Sequence, residues 1–431
     1  MATAPAAATG STASTRPGTP ESAGTRSALR GLRCRACGVL QPADERYVCS
    51  ECLGPIEPEY DLASFDTGAL RLGIERGPRS LWRYAALLPI ADPPAHAAVG
   101  WTPLLAAPRL GTALGIGRLY LKDDTRNPTL SFKDRPVAIA LARALELGLD
   151  TIACASTGNL AGAVAAAAAR SGLRAFVFVP ESTEPGKIAS AAAYGAQVVR
   201  VRGTYDQVNR LCGRLADEHG WGFVNFTLRP YYAEGSKTLL FECAEQLGWA
   251  LPHHVVVPVG SGALLTRTAT AVAQLRATGL VNGEHCHIHA AQPAGCAPVS
   301  DAVLDNWRAV APVRAPATIA RSLAIGAPAD GDGSVGVIRE SHGSAASVSD
   351  DDIRDAISLL ATAEGVFVEP AGGVVVATAR ELARRGVFHA DETVVLYLTG
   401  NGHKQEPAVV SLRDVIAADA DEFAVAYAEV L

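Results

Sequence analysis

The chain has no excess of basic residues: 38 Lys and Arg stand against 44 Asp and Glu, a net charge of −6 at pH 7. With a pI near 6.0, there is no electrostatic case for nucleic acid or for an anionic membrane surface. Long apolar runs are missing too. None reaches the roughly 18 residues that would read as a spanning helix, and no charged stretch leads into an apolar one at the N-terminus as in a secretory signal. The expectation is a cytoplasmic protein. Nine cysteines are an odd number in a chain with no such signal, which argues against a disulfide framework. Residues 1–28 are mostly Ala, Thr, Ser, Gly and Pro with almost no large apolar side chains. Such a segment cannot offset the entropy of ordering, so a disordered tail is expected. No internal repeat of solenoid period is present.

Apolar residues, by contrast, are plentiful. At 431 residues and 48% hydrophobic, the chain can bury large cores and is too long for one ordinary domain. From Gly100 onward, apolar strands alternate with Ala-rich helices. The strands are read at Arg118–Lys122, Thr151–Ala155, Arg174–Pro180, Gln197–Arg202, His254–Val259, His287–Gln292 and Thr393–Thr399. That alternation predicts parallel sheets with helices on both faces, in which ligands bind beyond the strand C-termini. The acidic, Gly-rich Ala329–Gly336 and the Pro-rich Pro89–Pro94 are expected to be surface connections.

Two Cys-x-x-Cys pairs, Cys34 with Cys37 and Cys49 with Cys52, lie eleven residues apart. Each offers two thiolates from one knuckle, and together they suit a tetrahedral zinc site; a redox or purely packing role is the alternative. Four thiolates leave no open position for water, so the site is read as structural, its loss costing the fold of residues 30–60 and not chemistry. Cys154, Cys212, Cys243, Cys286 and Cys296 sit in apolar contexts and are read as core.

The stretch that needs most explanation is Asn127-Pro128-Thr129-Leu130-Ser131-Phe132-Lys133-Asp134-Arg135. Lys133 falls at a helix start, where the positive end of the dipole disfavours a second positive charge. A desolvated lysine loses its charge readily and can bond an aldehyde; a surface lysine balanced by Asp134 is the plain alternative. Pro136 has no N–H, so the helix should begin near Asp134, with Ser131 and Asp134 as local caps. Three more strand-to-turn junctions follow. Ser156-Thr157-Gly158-Asn159 opens a helix and exposes N–H groups to an anion, or is a simple capped turn. Gly260-Ser261-Gly262-Ala263-Leu264 lets the backbone approach a phosphate, or is simply a tight turn. Thr399-Gly400-Asn401-Gly402-His403-Lys404 feeds a hydroxyl into a Gly-rich turn, or merely caps the strand.

Taken together, these segments resemble the threonine synthases, pyridoxal-phosphate enzymes of the tryptophan-synthase-β-like group, with motifs in family order from Cys34 to Lys404. The resemblance implies an α/β fold of two doubly wound parallel-sheet domains with the cofactor between them (fold type II), preceded by a small zinc ribbon. Residues 29–60 would form the ribbon and 61–431 a catalytic region of two interleaved α/β domains. Lys133 would hold pyridoxal phosphate covalently, next to Phe132, and then shuttle protons. Asn159 would bond the cofactor's phenolate oxygen, Gly260, Ser261, Gly262, Ala263 and Leu264 its phosphate, and Thr399 its ring nitrogen. Ser156 and Thr157 would take the substrate carboxylate, and the stretch Trp221–Thr238, through Thr227 and Arg229, the substrate's own phosphate; a domain-interface loop is the alternative for that stretch. Leu130 and Pro136 stand where many members carry Gly, Tyr232 where some carry Arg, and His403 where Leu is common. The implied reaction converts O-phospho-L-homoserine and water to L-threonine and phosphate, with a small phosphorylated amino acid as the only partner; a homo-oligomer is compatible. The alternatives are β-replacement or elimination on another amino acid, as in a cysteate synthase using O-phosphoserine and sulfite or a threonine dehydratase, and a cofactor-less binding protein on the same fold.

Overall fold

The computed structural model describes residues 27–404 apart from 45, 95–97, 184, 204 and 284, together with 425 and 428. The expected tail lies outside this range except for Ser27 and Ala28, and these two are tied down. The Ser27 hydroxyl donates to the Leu88 carbonyl at 2.5 Å, and the Ala28 amide to the Ala86 carbonyl at 3.0 Å.

Three sheets organise the described residues. The first is antiparallel, ordered β2-β1-β3, from β1 (Leu29–Cys34), β2 (Leu40–Gln41) and β3 (Ile56–Tyr60). A six-stranded sheet uses β4 (Leu104–Ala106), β5 (Arg118–Asp123), β10 (His254–Pro258), β11 (His287–Pro293), β12 (Ala345–Val348) and β13 (Thr393–Leu398), in the order β12-β11-β10-β13-β5-β4. All its pairings are parallel except that of edge strand β4 with β5. The remaining four-stranded sheet is parallel, ordered β8-β7-β6-β9, from β6 (Thr151–Ala155), β7 (Arg174–Pro180), β8 (Gln197–Val201) and β9 (Gly222–Phe223).

The seven expected strands are all present, each within one residue at either end. The reason is burial on both faces. Val255 and Val257 of β10 and Val395 and Tyr397 of β13 feed one core, while Val256, Leu396 and Leu398 feed the other. Such strands read as continuous apolar runs, each buried Val or Leu contributing about 1.5–3 kcal/mol. All five unassigned cysteines are buried, as expected. Ala329–Gly336 is not the surface loop its composition suggested. A helix, Gly331–Glu340, starts inside it, with Gly331 and Ser334 buried. In Pro89–Pro94, Ile90 is buried and only Ala91 and Asp92 are exposed.

Register sets the functional edge. Val256 pairs with Leu396 and Leu398 with Asp123, so β10, β13 and β5 end level with one another. The opposite edge carries a histidine relay. The Ser344 amide donates to Nδ1 of buried His289 at 2.9 Å, so the His289 proton sits on Nε2 and faces Nδ1 of His254 at 3.0 Å. His254 then donates from Nε2 to Glu392 at 2.8 Å. An added proton would set two donors face to face. Burial, with His254 and His287 adding to it, pushes His289 down to about 3, against an ordinary 6.5.

The neutral form therefore belongs to the fold, and the unfolded chain takes up protons first. Stability from His289 is complete above about pH 6.5 and is lost as pH falls from there toward about 3. The total is roughly 3–5 kcal/mol, about 2 kcal/mol of it by pH 5. Urea midpoints measured at pH 7.5 and pH 5 check this, with His289→Gln flattening the slope. A wild-type midpoint that does not move would show that the relay is not held neutral.

Candidate active site at the strand ends

The lysine loop is stitched to the turn after β13. The Phe132 amide donates to the Thr399 carbonyl at 2.8 Å, the Asn401 amide to the Leu130 carbonyl at 3.1 Å, and Ser131 bridges Gly400. Lys133 immediately precedes the helix Asp134–Glu146, so the start expected from Pro136 is observed. Its Nζ lies 5.2 Å from the centre of the Phe132 ring. Leu130 has φ +61°, which explains why Gly is common there: a left-handed backbone costs a residue with a Cβ roughly 1–2 kcal/mol.

The capping expectation is corrected. No side chain caps this helix. Instead the Asp134 carboxylate accepts from the Thr129 amide at 2.7 Å and its hydroxyl at 2.9 Å, while the Ser131 hydroxyl has no partner. Asp134 therefore fastens the loop before the lysine, and burial raises its pKa.

After β6, the Ser156 hydroxyl accepts the Gly158 amide at 3.2 Å and shapes the turn holding Thr157. Asn159 opens the helix Asn159–Ser171 and donates from Nδ2 to both carboxylate oxygens of Glu369, at 2.9 and 3.2 Å. Glu369 was missed in the sequence. It is 2% exposed, and its amide donates to the Gly400 carbonyl at 3.0 Å, so it joins Asn159 to the Thr399 turn. The available signal was an acidic residue, followed by Pro, at the head of the apolar helix Pro370–Arg384. Lys404 lies nearby, donating to the Thr129 carbonyl at 2.6 Å. Burial lowers its pKa against the opposing pull of Glu369 and Asp134.

The glycine loop follows β10 and leads into the helix Ala263–Ala277, with Gly262 at φ +90°. A Cβ at Gly262 would meet the Ser334 hydroxyl at 2.6 Å and the Asp330 carbonyl at 2.7 Å, so only Gly fits. First-turn N–H groups have no acceptor within their own helix and suit an anion. Asp330, also missed, donates its amide to the Ser261 carbonyl at 2.9 Å and accepts Arg229 Nη2 on Oδ2 at 2.7 Å. Arg229 therefore reaches the glycine loop through Asp330. Thr227 is turned to its own loop, accepting the Phe223 amide at 2.9 Å.

The edge thus presents a lysine, a glycine loop at a helix start, a hydroxyl-bearing turn and an amide, a donor set that fits pyridoxal phosphate. The four ribbon sulfurs lie within 4.8 Å of one another. Cys34 Sγ is 3.5 Å from Cys52 Sγ, and Cys37 Sγ is 3.6 Å from Cys49 Sγ, close to the about 3.8 Å edge of a tetrahedron with metal–sulfur bonds of about 2.3 Å. The amides of Cys37 and Ala36 point at the Cys34 sulfur and bring its thiol down to about 6, toward the thiolate a metal needs. These residues fit zinc.

The family model for pyridoxal-phosphate dependent enzymes matches residues 96–400. A threonine synthase from Methanosarcina acetivorans is 36% identical over 383 residues, covering 88% of this chain and 94% of that protein. The chain belongs to the threonine synthase family of pyridoxal-phosphate dependent enzymes. A second family member, from Methanocaldococcus jannaschii, is 35% identical over 381 residues with the same coverage of 88% and 94%. Among solved structures, a threonine deaminase from T.th. superposes with a TM-score of 0.57 at 29% identity, over 71% of this chain and 94% of that one. The α/β fold of parallel sheets expected from the family resemblance is the one observed. Among the described residues, no helix is long and apolar enough to cross a membrane.

Proposed function

We propose that this protein converts O-phospho-L-homoserine and water to L-threonine and phosphate, with pyridoxal phosphate as cofactor and zinc held by Cys34, Cys37, Cys49 and Cys52. The observation that carries the reading is the convergence of Lys133, Thr399 and the glycine loop on one sheet edge, with Arg229 tied to that loop through Asp330. The cofactor, when bound, supplies the electron sink for carbanion chemistry. Lys133 anchors it, next to Phe132, and moves protons at the substrate α and β carbons. The backbone N–H groups of Gly260–Leu264 bind its phosphate, and Asn159, held by Glu369, orients its ring. Thr399 offers the ring nitrogen a neutral hydroxyl, which favours elimination and replacement over transamination. Ser156 and Thr157 take the substrate carboxylate. Arg229, with Thr227 shaping its loop, supplies charge for the substrate phosphate, whose desolvation needs a cation or several donors.

Tyr232, where some family members carry Arg, favours one second reading: β-replacement on O-phosphoserine. Phosphate release from O-phospho-L-homoserine, compared with release from O-phospho-L-serine with and without sulfite, separates the two. If O-phosphoserine alone is consumed, the threonine synthase activity is lost as a reading. Arg229 is 40% exposed on its side chain and already shared with Asp330, so its replacement should cost less than a buried pair would. Arg229→Ala is expected to raise KM for O-phospho-L-homoserine and lower kcat/KM by about 1–2 kcal/mol, leaving the visible absorbance of the lysine-bound cofactor unchanged. Unaltered steady-state kinetics would remove Arg229 from the substrate site.

A further inference from the structure

We propose that the four-cysteine ribbon is a clamp on the segment 221–238, so that metal in the ribbon sets the affinity for substrate phosphate. The inference rests on the reading of that segment given under Proposed function. It changes the expectation that the ribbon is remote from the chemistry.

The first half of the segment is short of internal structure: β9 is only two residues long and 224–228 form no helix or strand before the helical pieces Arg229–Glu234 and Gly235–Lys237 begin. Its shape is set by what it touches, and ribbon residues touch it repeatedly. The Tyr231 hydroxyl donates to the Asp44 carbonyl at 2.6 Å. The Tyr47 and Phe226 rings lie 4.7 Å apart. From β3, the Tyr60 hydroxyl donates to Glu234 at 2.6 Å, and Glu57 pairs with Arg267, which also donates to Glu234 at 3.1 Å. Arg35, inside the first knuckle, faces Asp330 at 3.9 Å, and Asp330 is the partner of Arg229.

These contacts depend on closed knuckles. Asp44 and Tyr47 belong to the loop between Cys37 and Cys49, whose two ends are both ligand positions. In the ribbon, few apolar side chains beyond Leu32, Cys34, Cys49 and Ile56 are buried. Those four side chains belong to the large core shared with the catalytic region. Among the described residues of the loop 38–48, by contrast, no apolar side chain is fully buried, so the loop itself depends on the cross-link at its ends. Without the metal, the Asp44 carbonyl and the Tyr47 ring lose their fixed positions. Tyr231 and Phe226 then lose the surface that holds the entry to Arg229. The lysine loop is built on β5 and β13 of the large sheet, so the covalent anchorage of the cofactor does not share this dependence; the glycine loop, built on β10, meets the ribbon indirectly, through Asp330 and Arg267.

The test uses full-length protein with its cofactor bound. Zinc is removed by dialysis against a chelator and then restored. Amide hydrogen exchange in peptides covering 221–238 should become about tenfold faster on removal, with peptides from β5 and β13 unchanged. KM for O-phospho-L-homoserine should rise about tenfold while kcat falls by less than about threefold, with the visible absorbance of the bound cofactor unmoved. Restored zinc should reverse all of this. The double variant Tyr47→Ala/Tyr231→Phe, which leaves the cysteines untouched, should reproduce the exchange and KM changes with its zinc retained. Unchanged exchange, faster exchange with an unmoved KM, or a purified protein carrying no zinc overturns the proposal. Exchange needs no substrate. A wild type that ignores O-phospho-L-homoserine would overturn the activity reading alone, and exchange would still decide whether the ribbon clamps the segment.

Discussion

Lys133→Ala is expected to abolish turnover, with at least about a thousandfold loss in kcat, and to remove the visible absorbance of the bound cofactor while the fold survives. The geometry gives the reason. Lys133 sits where a loop fastened to the β13 turn at Leu130, Ser131 and Phe132 meets the first turn of a buried helix. The backbone therefore fixes where the amine emerges, and no neighbouring lysine can take its place without moving that stitching. The side chain is half-buried, with its Nζ over the Phe132 ring. Stability should stay within about 0.5 kcal/mol of wild type. Lys133→Arg should be equally inactive, because a guanidinium keeps its charge and does not bond an aldehyde. Borohydride reduction of wild type followed by peptide mapping checks the anchor directly. A reduced cofactor on any other lysine would end the assignment.

Parts of this site were legible because they are local. The central strands β10 and β13 of the large sheet are buried apolar runs, and two candidate turns follow them directly, the glycine loop after β10 and Thr399 after β13, while Lys133 comes ten residues after β5. The ribbon was legible from cysteine spacing alone, since two knuckles and one loop suffice to bring four sulfurs together. Other parts depend on distant pairings that no local pattern records. Glu369 meets Asn159 across 210 positions, and Asp330 meets Arg229 across 101. Ala329–Gly336 carries turn-forming composition but starts a helix because Gly331 and Ser334 are buried there, tertiary packing overriding propensity. The capping roles given to Ser131 and Asp134 followed helix rules, whereas Asp134 found better donors at Thr129, behind the loop. Arg135 was read only as part of a motif. Its partners lie on other elements.

Those partners make Arg135→Met the most destabilising substitution expected in this chain. Arg135 is fully buried, and its fork is used on every side: Nε to Asp124 at 2.7 Å, Nη1 to Glu242 at 2.5 Å and Thr238 at 3.0 Å, and Nη2 to Asp124 and Glu242 at 2.8 Å each. Lys122, also fully buried, donates to Glu242 at 2.7 Å, so two cations balance two anions with no exposed side chain among them. Burial alone would raise the Glu242 carboxyl; Arg135 and Lys122 outweigh it and hold it down to about 2. Removing the guanidinium leaves two carboxylates and one ammonium without water. The expected loss is about 3–5 kcal/mol, a large share of the 5–15 kcal/mol typical of a domain. Arg135→Lys restores the charge but not the fork and should recover only part of that loss. Arg135→Met/Asp124→Asn removes one charge of each sign and leaves Glu242 paired with Lys122 at 2.7 Å. It should be more stable than Arg135→Met alone, with a coupling energy of about 2 kcal/mol or more. Denaturant midpoints of the three variants decide the point. Additive losses would mean that the two side chains do not share one network. The consequence reaches the site because Asp124 opens the turn that leads from β5 to Lys133, and Glu242 also accepts the amides of Trp101 and Thr102 at 2.6 and 3.1 Å. Any Arg135 variant that still folds should therefore hold its cofactor less tightly than wild type.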